Sequence, residues 1–371
     1  MQRTKPPFRA DHVGSLLRPR ELLDARHRRQ RNEIPAAELR AIEDRAIRHA
    51  VKLQEDIGLQ AITDGEYRRK FFHVDFLVQI HGVKETQSQT MVKFRGAKQD
   101  VNFAPPVLEV TGRLERPKGG ISVEDFRYLK SMTNRTARLC IPSPSMLHFR
   151  GGRGKVDKKA YPDIDEFFSE LARIYREEIA DLAKAGCRNI QFDDTNLAYL
   201  CDPAHRERVR SIGEDPDKLP SVYAKLISDS LRDRPKDMVA GIHLCRGNFR
   251  SAWAAEGSYE IVAESLFNEV DVDAYFLEYD DDRSGGFEPL RFLPKGKMVV
   301  LGLVTTKVPN LESKDELKRR IDQAAKFAPL DNLALSPQCG FSSTEHGNDL
   351  SEEEEIEKLR LVVETANEVW G

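Results

Sequence analysis

The sequence predicts an α/β fold, a (β/α)8 TIM barrel with an inserted β-hairpin region after the second strand. Three observations predict it. Short apolar runs rich in Val, Ile and Leu recur along the 371 residues. Segments with one apolar stripe at helical spacing separate them. Polar residues suited to chemistry gather where the runs end, which is where barrels of this kind carry their sites.

Eight runs qualify as strands, at 8–13, 60–64, 137–142, 189–193, 238–243, 274–278, 298–304 and 333–336. Continuous apolar runs suit parallel strands buried on both faces. Between them, Leu39, Ile42, Ala46, Ala50 and Leu53 keep the three–four rhythm of a helix over 37–57. Phe167, Leu171, Ile174 and Leu182 do the same over 165–185, and Gly186 suits the left-handed residue that ends a helix. Helices are expected at 218–233, 258–268, 312–326 and 351–369, the last opening on the acidic run SEEEE as a solvated face. Residues 83–128 break the alternation with polar–apolar repeats and turn residues, and read as an inserted β-hairpin. Such an insertion could cover the barrel mouth or decorate its edge. No linker or internal repeat divides the chain, so residues 1–371 are expected to form a single barrel domain.

Composition narrows the function. With 58 basic and 61 acidic residues the formal charge is −3, so no global field points to nucleic acid or an anionic membrane. The basic residues are dispersed without stacking aromatics, which argues against nucleic-acid binding. No run approaches the roughly 18 apolar residues of a membrane span, and the N-terminus MQRTKPPFRADH lacks the apolar core of a signal peptide. Five cysteines without framework spacing argue against a disulfide scaffold and for the reducing cytoplasm. Nothing in the sequence decides whether the chain forms a homo-oligomer.

The strand ends carry the chemistry. His12, Gly14 and Ser15 follow the first strand, Asp64, Gly65 and Glu66 the second, and Ser143 and Ser145 the third. Asp193 and Asp194 end the fourth strand, His243 and Cys245 the fifth and Glu278 the sixth; Lys307 follows the seventh and Cys339 the eighth. Strand side chains two apart point the same way, so His243 and Cys245 would aim at one point. Imidazole, two thiolates and a carboxylate are ligand types that zinc prefers, and His243, Cys245, Glu278 and Cys339 form the expected zinc set. Cys140, Cys187 and Cys201 lack comparable partners and are assigned to packing. Two thiolates and a carboxylate with Zn²⁺ leave a net charge of about −1, so the metal is a weak Lewis acid toward water. It suits a substrate thiol held as a nucleophilic thiolate.

These residues resemble a known family, the C-terminal catalytic barrel of cobalamin-independent methionine synthase, and more closely its stand-alone single-barrel members. The resemblance rests on DHVGSLLRP at 11–19, TDGEYRR at 63–69, IQFDD at 190–194, HLCRGN at 243–248, FLEYD at 276–280 and QCGF at 338–341. It implies a zinc-dependent S-methyltransferase similar to 5-methyltetrahydropteroyltriglutamate–homocysteine methyltransferase, converting homocysteine to methionine. It implies substrate binding by His12 and by Val13, Gly14 and Ser15, the last three holding the homocysteine carboxylate. Glu66 and Asp193 would hold its ammonium.

Two positions depart from the family. Tyr199, in DDTNLAYL, falls near a glutamate that contacts folate in the synthase, and is read as donor-side substrate contact. Lys307, in GLVTTKVPN, stands where the synthase has a histidine proton donor. Lys307 and Asp193 are therefore the candidate catalytic proton donors. The donor could be a 5-methyl-folate or a simpler methyl compound. One alternative is a zinc-dependent alkyltransferase of the epoxyalkane–coenzyme M type, with Arg18, Arg246 and Lys307 available for a sulfonate. Another is a non-catalytic zinc- or thiol-binding protein. The four-ligand set disfavours the related zinc-free decarboxylase barrels.

Overall fold

The computed structural model describes residues 3–86, 91–96 and 100–371. Residues 87–90 and 97–99 of the expected insertion lie outside the described residues. Six parallel strands form one continuous sheet: Leu139–Pro142, Asn189–Asp194, Val239–Leu244, Ala274–Glu278, Met298–Val304 and Leu333–Pro337. Register pairs Phe192 with Ile242, Leu244 with Leu277 and Leu277 with Leu301. The second strand, Ala61–Ile62, pairs in parallel with Thr136–Ala137, and Arg138 N donates to Ile62 O at 2.8 Å to join it to the third. These are barrel positions two to eight.

The first position differs from expectation. Instead of a strand over 8–13, the structure has a single parallel bridge between Ala10 and Leu335. Two backbone bonds accompany it, Asp11 N to Leu335 O at 2.9 Å and Leu335 N to Arg9 O at 2.8 Å. Side chains replace the ladder on the other edge. His12 Nε2 bonds Ala61 O at 3.0 Å, and Thr63 Oγ1 donates to Gly14 O at 2.7 Å. The segment is thus held as an extended stave by polar side chains.

Helices close the outer layer. Ala36–Ile57, Ile164–Lys184, Leu219–Leu231, Glu260–Glu269, Lys314–Ala324 and Glu352–Trp370 fall within a few residues of the expected positions. Asp163 and Ser313 cap two of them, and Ser351 with Glu354 makes a reciprocal capping box on the last. Gly186, at φ 94°, takes the left-handed position after Lys184. Inside the barrel, Ala274, Phe276, Met298, Val300 and Ala334 form a small apolar layer. Gly241 is needed there, because a Cβ would stand 3.1 Å from the Phe276 ring.

The insertion is two-tiered. His81–Thr86 pairs antiparallel with Val107–Glu115, and Val92–Gly96 with Val101–Phe103. Ala252–Trp253, from the loop after the fifth strand, adds a third strand to the outer tier. The expected range 83–128 runs too far: Val123–Met132 is a helix whose buried Val123, Phe126 and Leu129 belong to the barrel's helical layer. The arm crosses the mouth, since Phe103 stacks on Phe249 at 4.2 Å and Phe94 meets the same ring at 5.5 Å.

One buried carboxyl marks the outer layer. Glu355 is 1% exposed and accepts from Leu17 N at 3.1 Å. Burial, with Glu352 acting the same way, pushes its pKa up to about 8. Its folded value lies above the unfolded one, about 4.3. Between those values the folded chain keeps a proton the unfolded chain has released, so this group's contribution falls as pH rises. Glu355→Gln should therefore raise the thermal midpoint relative to wild type more at pH 8.5 than at pH 5. Melting curves at both values check it, and an equal difference at both would refute the assignment.

Candidate metal centre and active-site pocket

Strand alternation places the site. His243 is the penultimate residue of the fifth strand, and Cys245, two residues on, follows the strand on the same face. Glu278 is the last residue of the sixth strand, and Cys339 follows the eighth. Their ligand atoms lie within 4.8 Å of one another, and all four residues are buried. The two sulfurs are 3.5 Å apart, too far for a disulfide, so both thiols are free. One backbone and one side-chain contact fix the carboxylate: Arg246 N donates to Glu278 Oε1 at 3.0 Å, and the Arg283 guanidinium stands 3.5 Å from Oε2.

The donor set suits a cation. Among the described residues neither ring nitrogen of His243 makes a hydrogen bond, and Glu278 Oε2 has only its ion-pair contact with Arg283. Buried polar atoms without partners are costly unless a ligand meets them. Burial alone would lower the His243 pKa, but the neighbouring Cys339 and Glu278 outweigh it and raise it to about 9. The Cys245 thiol holds Cys339 well below the usual thiol range, against the opposing effect of burial.

A second buried group adjoins it. Glu66, Asp193 and Cys140 also bring their ligand atoms within 4.8 Å. Gly65 and Glu66 both take left-handed backbone, φ 65° and 60°, and Asp64 Oδ1 accepts from Glu66 N at 2.9 Å. Strain of this kind in a non-glycine residue marks a side chain held in a required direction. Burial, with Asp193 adding to it, raises Glu66 to about 7 despite Arg69, which stands 3.6 Å away. Burial likewise raises Asp193 to about 6, although His243 and a bond from Gln191 oppose it. Gly14 leaves room for this pair, since a Cβ there would meet Cys140 Sγ at 2.7 Å and Glu66 Oε1 at 3.0 Å.

Both groups open into one pocket, whose lining includes Val13, Ser15, Glu66, Asp193 and Tyr199 beside His243, Cys245 and Cys339. Three expected contacts lie elsewhere. His12 does not line the pocket, because its ring is committed to Ala61 O between the first two staves. Gly14 borders it only through its neighbours. Lys307 lines an adjacent cavity with Arg250 and Asn348, its ammonium against the amide of Gln338. It still faces the ligand set electrostatically, acting on Cys245, Glu278 and Cys339. The sequence reading missed much of the remaining wall, including Phe71, His73, Phe94, Phe103, Arg150 and Phe249.

The sequence profile described as the catalytic domain of cobalamin-independent synthase matches residues 8–368. The chain belongs to the cobalamin-independent synthase catalytic-domain family. An uncharacterized protein of Bacillus subtilis, YxjH, is 45% identical over 99% of this chain and 96% of its own length. A Listeria monocytogenes structure, named provisionally as a vitamin-B12 independent methionine synthase, is 36% identical and superposes over both whole chains with a TM-score of 0.79. The 5-methyltetrahydropteroyltriglutamate–homocysteine methyltransferase of Bacillus licheniformis is 24% identical over 97% of this chain. This family member spans only 42% of that enzyme's length. No helix among the described residues is long and apolar enough to cross a membrane.

Proposed function

We propose that this barrel is a zinc-dependent S-methyltransferase whose acceptor is the thiol of homocysteine, acting as one catalytic unit over residues 1–371. The observation that carries the reading is the meeting, in one pocket, of a four-donor cluster and a buried acidic pair. His243, Cys245, Glu278 and Cys339 would hold zinc, whose chemistry when bound is to keep a substrate thiol ionised at neutral pH.

The chain's own groups do the rest. Glu66 and Asp193 face the acceptor's ammonium, and that positive charge would favour one ionised carboxylate while burial and the like charge keep the other protonated. Val13, Gly14 and Ser15 would hold its carboxylate through backbone and hydroxyl groups. Together these contacts orient the sulfur toward the aromatic part of the pocket, where the methyl donor would lie in line. Tyr199 borders that part. Asp193 lines the pocket and is the better placed of the two proposed proton donors. Lys307 lies behind Gln338, where its charge would balance the excess negative charge of the ligand set.

The coenzyme M alternative finds little support in its named cations. Arg18 is spent on carbonyl oxygens of Ser342, Glu66 and Arg69, and Arg246 stacks over Tyr259 at 4.2 Å. Neither they nor Lys307 lines the pocket. The test is zinc K-edge spectroscopy of the zinc-loaded protein with homocysteine or coenzyme M, followed by assay for methionine with candidate methyl donors. Homocysteine should add a sulfur ligand and yield methionine with at least one donor. A response to coenzyme M alone would overturn the reading.

A further inference from the structure

We propose that the pocket wall built by the loops after the second, third and fourth strands is a subsite for an anionic oxygen group, with Arg150 and His73 as its ligands and the apolar part of the donor on the neighbouring phenyl rings. The assignment of this subsite to the methyl donor rests on the function proposed above.

Four observations lead there. His73 is 3% exposed, lines the pocket, and has no hydrogen-bond partner for either ring nitrogen among the described residues. A buried imidazole left in that state costs stability unless something in the pocket meets it. Arg150 lines the same pocket. Its one hydrogen bond among the described residues runs from Nη1 to Pro106 O at 3.3 Å, and no carboxylate there lies within ion-pair reach. A guanidinium has five donors in a fixed fork, which matches carboxylate, phosphate or sulfonate. Besides burial, the groups that act on Arg150 are the neutral Tyr199 phenol and a second cation, Arg208; Arg150 in turn acts on His73. Arg150 is therefore a pocket-lining cation that the described residues leave without a carboxylate, and His73 beside it is a neutral imidazole with an N–H to donate.

The rest of the pocket defines the ligand class. Its carboxylates, Glu66 and Asp193, sit together beside Gly14 and Gln191 and leave none beside Arg150. A pterin edge presents N–H donors and calls for a carboxylate, whereas this wall offers donors and calls for acceptors. Phe103 and Phe249, stacked at 4.2 Å, with Phe94 and Phe71, supply a flat apolar surface. The ligand class is a small molecule with an apolar or aromatic body and a negatively charged oxygen group.

Zinc-loaded protein would be titrated calorimetrically with benzoate, phenyl phosphate and benzenesulfonate, and with neutral benzamide. At least one anion should bind, and benzamide should bind roughly tenfold more weakly, as the loss of a charge-assisted pair implies. The arm that binds best identifies the anion type. Arg150→Gln should weaken that anion about tenfold and Arg150→Lys by less, since lysine keeps the charge without the fork. His73→Phe should weaken it independently. The zinc edge should not change on anion binding, and Arg150→Gln should keep the homocysteine response. Wild-type anion affinity in Arg150→Gln, equal binding of benzamide, or an edge change with the anion would overturn the subsite. Loss of the homocysteine response in Arg150→Gln would assign the cation to the acceptor and overturn the donor assignment. If homocysteine leaves the wild-type edge unchanged while the anion results hold, the thiol reading falls and the subsite stands.

Discussion

Replacing Cys339 by serine should abolish tight zinc binding and methyl transfer together while leaving the fold intact. The substitution keeps the volume and removes one of two sulfur donors in a cluster whose atoms lie within 4.8 Å. Loss of an outer partner of a metal ligand already costs about 10–100-fold in affinity or activity, so loss of a ligand should exceed 100-fold. The structural consequence is smaller. Cys339 touches Cys245 Sγ at 3.5 Å and Ser343 Oγ at 3.6 Å, and neither contact holds the eighth strand in place. Zinc per chain after competition with a chelator, and thiol methylation by the same preparation, give the measurement. Cys187→Ser serves as the control, because that thiol is buried just before the fourth strand, against the carbonyl of Asn189, the strand's first residue. A Cys339→Ser protein that retains one zinc and full thiol alkylation would sink the metal-centre proposal.

The second large effect concerns stability. Arg138 and Asp11 are 2% and 1% exposed, and their Nη1–Oδ1 contact is 2.6 Å. Arg138 also donates to His12 O and lies 5.4 Å from the centre of the Phe276 ring. The pair ties the first stave, which has almost no ladder, to the third strand. Arg138→Met would strand a carboxylate that otherwise receives, among the described residues, only Phe8 N and His12 N. Breaking one side of a buried pair costs about 3–5 kcal/mol, which for a chain of this size corresponds to roughly 4–6 °C in Tm. Asp11→Asn combined with Arg138→Met should recover part of that loss, since no charge is then left unpaired. Thermal unfolding of the single and double variants decides it. An unchanged Tm in Arg138→Met, or additive losses in the double variant, would show that the pair does not secure the stave.

Much of this architecture was readable in the chain because buried parallel strands leave continuous apolar runs. Ile190 and Phe192, or Val299 through Val304, announce themselves that way. The first stave failed the test for a physical reason: beyond its two backbone bonds with Leu335 it is held through the side chains of Asp11, His12 and Thr63, which no strand pattern encodes. The end of the insertion was misjudged because the helix Val123–Met132 is only ten residues long, too short for the spacing of Val123, Phe126 and Leu129 to stand out after Gly119 and Gly120. In the site, the H-x-C spacing of His243 and Cys245 exposed a shared face. Glu66 and Asp193 were found through motif resemblance, and the left-handed backbone that aims Glu66 is invisible without coordinates. His73 and Arg150 lie singly in loops with no spacing rule, so only the fold could bring them to one wall. The sequence places Lys307 after the seventh strand but says nothing about Gln338 standing between it and the pocket.

The pairing of Ala252–Trp253 with Val92–Gly96 bears on how modular the insertion is. An appended hairpin joined to a barrel only at its own two ends could be trimmed, exchanged or grafted as a cassette. This one shares a sheet with the segment that follows Cys245, so its outer tier is built partly from the loop that leaves the ligand set. Shortening the arm to widen the mouth would remove hydrogen-bonding partners from that loop at the same time. Redesign of donor choice in this scaffold should treat the arm and the fifth-strand loop as one inherited unit, and vary them together.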